Sequence, residues 1–258
     1  MKYFLITIGF LLALLGNGRA TDLWDLTFFF DDDTAVGTGN TLWHTAPPQI
    51  HDVEAVGGVA DQDWYVIRPR AGRSYEVQVL NIGDALVYSV GGVRRYNNNG
   101  TTVLQESADL GPTWLRTLRW MSGTDSEERI RVMGTDYLNT PYSQYTIQFF
   151  ETTLFCPRFN NSGTQVSVLI IQQTNSLPLD CNYTANFFDE NGLFIANAQS
   201  ILSPNGMTVL PLSSLLQGYK GSANIAHTCG YGGIAAKLVA LEPSTGFSFD
   251  TLCSYLPR

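Results

Sequence analysis

The chain is poor in the groups that most enzymes use near neutral pH. His44, His51 and His227 are its three histidines, and none stands in a Gly-x-Ser-x-Gly or His-Glu-x-x-His setting. The usual serine-hydrolase elbow and zinc-protease helix are therefore absent. Lys and Arg number 15 against 23 Asp and Glu, a formal net charge of −8, and no basic cluster interrupts the trend. Such a surface repels phosphate backbones, so nucleic acid is excluded as a partner and anionic lipid is a poor one. The glycine runs Val56-Gly57-Gly58-Val59 and Gly230 to Gly233 lack the Lys and following helix of a phosphate loop. No apolar run reaches the roughly 20 residues that span a bilayer, so no transmembrane segment is expected. Cysteine is missing from the first 155 residues.

What is present begins with an export signal. Lys2 supplies a positive start, Tyr3 to Leu15 form a short apolar run, and Gly18 and Ala20 place small residues ahead of a cleavage point. Residues 1–20 are expected to be a cleaved signal peptide. Thr21, not Cys, follows the cut, so a lipid anchor is not expected. The mature chain is expected to be secreted or periplasmic. Cys156, Cys181, Cys229 and Cys253 fit that compartment: four cysteines with no close pair read as two disulfides, not as a zinc site. Four cysteines allow three pairings. Domain ends often lie close together, which favours Cys156–Cys253 and leaves Cys181–Cys229.

Few charges (15%), many aromatics (12%) and 24 Gly suit short strands with tight turns. Asp63 to Ile67, Leu115 to Trp120 and Arg129 to Met133 read as strands. In two others the alternation is plain. Tyr75, Val77 and Val79 alternate with Glu76 and Gln78, and Tyr145, Ile147 and Phe149 with Thr146 and Gln148, the period of a half-buried strand. Val166 to Ile171, a hairpin around Asp189-Glu190-Asn191-Gly192, Thr208 to Leu210, Ala223 to His227 and Ile234 to Leu241 repeat the style further on. Ser213 to Gly218 reads as one helical turn. The expected fold is all-β: two antiparallel β-sandwich domains in tandem after the signal peptide, at 21–153 and 154–258, joined without a flexible linker.

Two stretches carry a family likeness. Asp61-Gln62-Asp63-Trp64-Tyr65 followed by Ala71-Gly72-Arg73-Ser74-Tyr75-Glu76-Val77 resembles the bacterial pre-peptidase C-terminal domain. Leu118-Arg119-Trp120, Arg129-Ile130-Arg131-Val132 and Ser143-Gln144-Tyr145-Thr146-Ile147 look like its final strands. The resemblance covers roughly Asp31 to Phe150. It implies a small, non-catalytic β-sandwich of the kind appended to secreted peptidases and other exported enzymes. The part from about Phe155 onward, including Pro157 to Gln165 and Lys237 to Thr251, is similar to a β-module recurrent in exported bacterial proteins of unknown function.

Three constellations bear on chemistry, and none defines a catalytic residue. Asp31, Asp33, Asp61 and Asp63 are the candidate ligands for Ca²⁺, which prefers several oxygens at once. Their spacing departs from the EF-hand, since Ala35 and Leu42 fall where ligands belong, so a solvated acidic loop is the plainer expectation and no cofactor is required. Trp114, Tyr96, Tyr137 and Tyr142 lie in or beside loops and are candidates for stacking on sugars, with a role in the sandwich core as the plainer reading. His227 alternates with Ile225 on a strand and is expected in the core or at an edge.

These features predict a non-catalytic binding or accessory protein acting through surface contacts with a polymer, an envelope component or an exported partner. The rival readings are a hydrolase using Asp61, Asp63 and His51, and a targeting or folding accessory of a secreted enzyme. N-terminal sequencing of the exported protein should read Thr-Asp-Leu-Trp, and an intact Met1 would contradict the signal peptide.

Overall fold

The computed structural model describes residues 34–53, 62–81, 90–107, 115–134, 144–174 and 179–256. The expected signal peptide lies outside them. Every regular element among the described residues is a strand, and no helix among them is long and apolar enough to cross a membrane.

Strands β1 (Gln49–Asp52), β8 (Gln144–Glu151), β3 (Arg73–Asn81) and β6 (Leu115–Ser122) form one antiparallel sheet in that spatial order. Strands β2 (Gln62–Ile67), β7 (Glu128–Gly134), β4 (Val90–Tyr96) and β5 (Val103–Glu106) form its partner. The expected alternation is seen in the packing. Tyr75, Val77 and Val79 meet Tyr145, Ile147, Phe149, Leu118, Ile130 and Val132 in one apolar core, because side chains of a strand point to alternate faces. The segment before β2 covers that strand's edge: Leu42 N–H donates to the Val66 carbonyl at 2.9 Å, and Val66 N–H to the Asn40 carbonyl at 2.7 Å.

The remaining strands build two more sheets. One runs β13 (Met207–Pro211), β10 (Val166–Gln173), β15 (Ile234–Glu242), β16 (Phe247–Leu252). The other runs β12 (Phe194–Leu202), β11 (Cys181–Asp189), β14 (Lys220–His227), β9 (Leu154–Asn160), β17 (Ser254–Tyr255). Leu169, Ile171, Phe187, Ile225 and Leu238 fill the core between them, and Phe159 meets Phe187 edge-on at 5.9 Å. The β11–β12 hairpin turns where its sequence predicts. Gly192 takes φ +80°, and the Asp189 carboxylate accepts the N–H groups of Asn191 and Leu193, each at 2.8 Å. The turn at Ser213 to Gly218 is closed by Leu216 N–H to the Leu212 carbonyl at 2.8 Å and by Tyr219 N–H to the Leu216 carbonyl at 3.1 Å, and does not continue as a helix.

Disulfides join Cys156 to Cys253 and Cys181 to Cys229. Cys156 lies inside β9. That strand starts at Leu154, leaving only Thr152 and Thr153 after β8.

The polar face of β3 also departs from expectation. A half-buried strand would turn Glu76 to water, yet Glu76 is 0% exposed, because the second sandwich lies on that face. Arg119, from β6, donates to Glu76 Oε1 through Nε at 3.0 Å and Nη2 at 2.9 Å, and Gln78 Nε2 adds a bond at 3.1 Å. Across the junction the backbone N–H of Tyr231 donates to Glu76 Oε2 at 2.6 Å. Removing both ions from water costs several kcal/mol each, which such a bonded set can offset. Gly230 makes the approach possible. It sits at φ +88°, and a Cβ there would lie 2.7 Å from the Arg119 guanidinium. Around this pair, Arg73 bonds Glu151 at 2.6 Å and lies 4.5 Å over the Phe155 ring. Tyr231 packs on Phe150 at 5.2 Å and on Tyr255 at 5.0 Å.

His227, at the end of β14, is fully buried, in keeping with a core position. Its Nδ1 accepts the Cys229 N–H at 3.2 Å. Burial lowers its pKa from 6.5 to about 3; the Arg119 charge lowers it too, while the Thr152 backbone acts in the opposite direction. Because the folded value is depressed, the unfolded chain takes the proton first as pH falls. His227 therefore contributes stability above pH 6.5 that is lost progressively down to about pH 3. Urea unfolding of wild type and His227→Gln between pH 7 and pH 4 should show a shallower acid loss in the variant. Identical pH slopes would contradict the assignment.

Candidate functional site

Asp31, Asp33, Asp61, Trp114, Tyr137 and Tyr142 lie outside the described residues. Asp63, Tyr96 and His51 are described, and all three are buried.

Asp63 sits on β2 and points into the first core, fully buried. The Tyr145 hydroxyl donates to its carboxylate, and the Tyr65 and Tyr145 hydroxyls are 2.5 Å apart. Burial holds the Tyr145 phenol well above its ordinary range, and the Asp63 charge adds to this. His51 stacks on Tyr145 at 5.7 Å and meets Tyr65 edge-on at 5.0 Å, with Nε2 3.1 Å from Gln49 Oε1. This is a carboxylate, two phenols and an imidazole closed off inside a sandwich. All four side chains are buried there. Among the described residues no three His, Cys, Asp or Glu come together as a metal site.

Tyr96 is 5% exposed, not open at a loop. Its ring packs on Trp64 at 5.0 Å, and Arg131 lies over both rings at 5.0 and 5.4 Å. It therefore offers no free face for stacking. Trp43 is exposed, but the Arg68 guanidinium lies 5.7 Å over its ring.

The open aromatic faces stand in the second sandwich, where the sequence reading assigned no site. Phe247 is 68% exposed and Phe249 43% exposed on the outermost strand β16. Two residues apart, they share a face of the strand and are about 6.7 Å apart along it. Both line a cavity of about 200 Å³ together with Arg158, Asn160, Gln165 and Glu242. The turn from Glu242 to Gly246 positions one wall: Gly246 N–H donates to the Glu242 carbonyl at 2.9 Å, with Gly246 at φ +69°. Glu242 also accepts the Ser244 hydroxyl at 2.7 Å and the Thr164 hydroxyl at 2.8 Å. The Ser244 bond in particular holds its carboxyl below the usual range, so it is ionised at neutral pH. Asn160 Nδ2 donates to Gln165 Oε1, which fixes both amides. Arg158 is exposed and makes no ion pair among the described residues.

Two neighbouring depressions are already occupied by internal bonds. One of about 400 Å³ is bordered by Arg73, which is held by Glu151 and Phe155. One of about 510 Å³ contains Lys220 and Glu190, paired at 2.9 Å. Among the described residues, the Phe247 cavity combines open rings with Arg158, which also borders the depression at Lys220. The signal that would have revealed it is Phe247-Ser248-Phe249 directly after the Thr245-Gly246 turn, an alternation of rings too short to separate core from surface.

No family model and no curated protein matches the sequence. Solved structures give slight likenesses. A family 2 glycosyl hydrolase from Bacteroides cellulosilyticus is 11% identical over 76% of this chain and 29% of its own length, with a TM-score of 0.24. The β-glucuronidase 2 of Bacteroides uniformis is 8% identical over 75% of this chain and 25% of its own, with a TM-score of 0.20. A further family 2 β-glucuronidase is 9% identical over 91% of this chain and 26% of its own, with a TM-score of 0.22. The chain spans less than a third of the length of each, and likenesses this slight carry neither fold nor function.

The buried polar cluster yields a stability prediction. Tyr145→Phe removes a charge-assisted bond to Asp63, a loss of about 1.5–3 kcal/mol. Denaturant unfolding should register it, and an unchanged midpoint would show that Asp63 does not depend on that hydroxyl.

Proposed function

We propose that this is an exported, non-catalytic protein of two rigidly abutted β-sandwiches that binds a polymer through the outer edge of the second. The observation that carries this reading is the contrast between the two sets of polar and aromatic groups. Those suited to proton transfer (Asp63, His51, Tyr145 and His227) are closed inside the cores, while Phe247, Phe249 and Arg158 stand open around a cavity. Two disulfides support an oxidising compartment.

The first sandwich is proposed as a pre-peptidase C-terminal-like unit. In support, the residues that carry the resemblance do structural work: Tyr65, Tyr75, Val77 and Trp120 are core residues, and Glu76 and Arg119 bond at the junction. On this reading it serves as the platform on which the second sandwich is seated.

A screen of the mature protein against immobilised polysaccharides and envelope fractions, run beside esterase, glycosidase and peptidase panels, tests the proposal. Retention on a polymer without turnover is expected. Turnover on any panel substrate with no retained polymer would overturn it and favour the hydrolase reading.

A further inference from the structure

The chemistry of the Phe247 cavity narrows the polymer, an inference that rests on the binding reading above. We propose that the cavity takes an uncharged sugar unit of a polysaccharide, with Phe247 and Phe249 receiving the apolar face of the ring and Arg158 and Glu242 its hydroxyls.

A guanidinium only donates hydrogen bonds and a carboxylate only accepts them, whereas a hydroxyl does both. Arg158 and Glu242 line the same small cavity without forming an ion pair with each other. A ligand carrying several hydroxyls satisfies both at once.

Charge points the same way. One cation and one carboxylate make the lining neutral, and the chain as a whole carries −8. A polyanion would meet Glu242 and that net charge, and a cationic ligand would meet Arg158. A purely apolar ligand would bury Arg158 and Glu242 without replacing their bonds to water, which is costly. The two open rings favour a ligand with one apolar face, since aromatic surfaces release water on contact. A cavity of about 200 Å³ is small beside the 300–1,000 Å³ of drug-sized pockets, and suits a single ring at a time. Its position on the outermost strand lets a longer chain pass without threading the protein.

Affinity electrophoresis of the mature protein tests this. Native gels would contain either uncharged polysaccharides (hydroxyethyl cellulose, glucomannan, dextran) or anionic ones (alginate, polygalacturonate). Retardation by at least one uncharged polymer is expected. Phe249→Ala and Arg158→Ala should each weaken it at least tenfold, while Phe194→Ala, an exposed aromatic on the opposite edge strand β12, should not. Circular dichroism melts confirm that each variant is folded; these side chains are exposed, so folding is expected to persist. Retardation by anionic polymers alone, or equal retardation of all variants, would overturn this inference and leave the polymer-binding reading standing. Retardation by no polysaccharide would overturn the inference, and the envelope-fraction screen would then decide the broader reading separately. Shortening of the polymer during the run would instead remove the non-catalytic reading.

Discussion

The carboxylate of Glu76 is the constraint around which the two halves are arranged. It is wholly buried between the sandwiches, and an ion in that place is tolerable only when its oxygens are bonded. Arg119 and Gln78 meet one oxygen from within the first sandwich, and the Tyr231 backbone meets the other from the second. Separating the halves would leave Glu76 without the Tyr231 bond and would open Arg119, Phe150 and Phe155 to solvent. Gly230 serves the same end, since any side chain there would strike the guanidinium. The short passage from β8 into β9 leaves little slack for another arrangement. The cavity on β16 is thereby held on a body of two sandwiches and not on a swinging module.

Much of the fold was legible because its signals are local. The alternation at Tyr75 to Val79 and Tyr145 to Phe149 predicts strands with one face in a core, and those side chains do meet there. The turn at Asp189 to Gly192 is specified by its own carboxylate and glycine. What a strand pattern does not contain is the identity of its second neighbour. Glu76 reads as solvent-facing because a period of two separates the faces without saying what covers the polar one. Interface burial is a tertiary property, and it reverses the environment of a residue whose local pattern is ordinary.

The candidate site was legible only in part, for a related reason. Tyr96 reads as a loop-side ring because Asn97 begins a turn, yet Arg131 and Trp64 close over it from other strands. Asp63 reads as part of an acidic group with Asp61, but the pleat turns its side chain inward to Tyr145. Phe247 and Phe249 carry the same alternation as the core residues Val77 and Val79. Only the place of β16 at the end of its sheet leaves one set open and the other buried. Strand order, which assigns the edges, depends on pairings far apart in the chain.

Differential scanning calorimetry tests most directly whether the Glu76 junction makes one body of the two sandwiches. Mature wild-type protein should unfold in a single cooperative transition with matching calorimetric and van't Hoff enthalpies. The variant carrying Glu76→Gln should separate into two transitions, one per sandwich. Two transitions in the wild type, or one unaltered transition in the variant, would contradict the account.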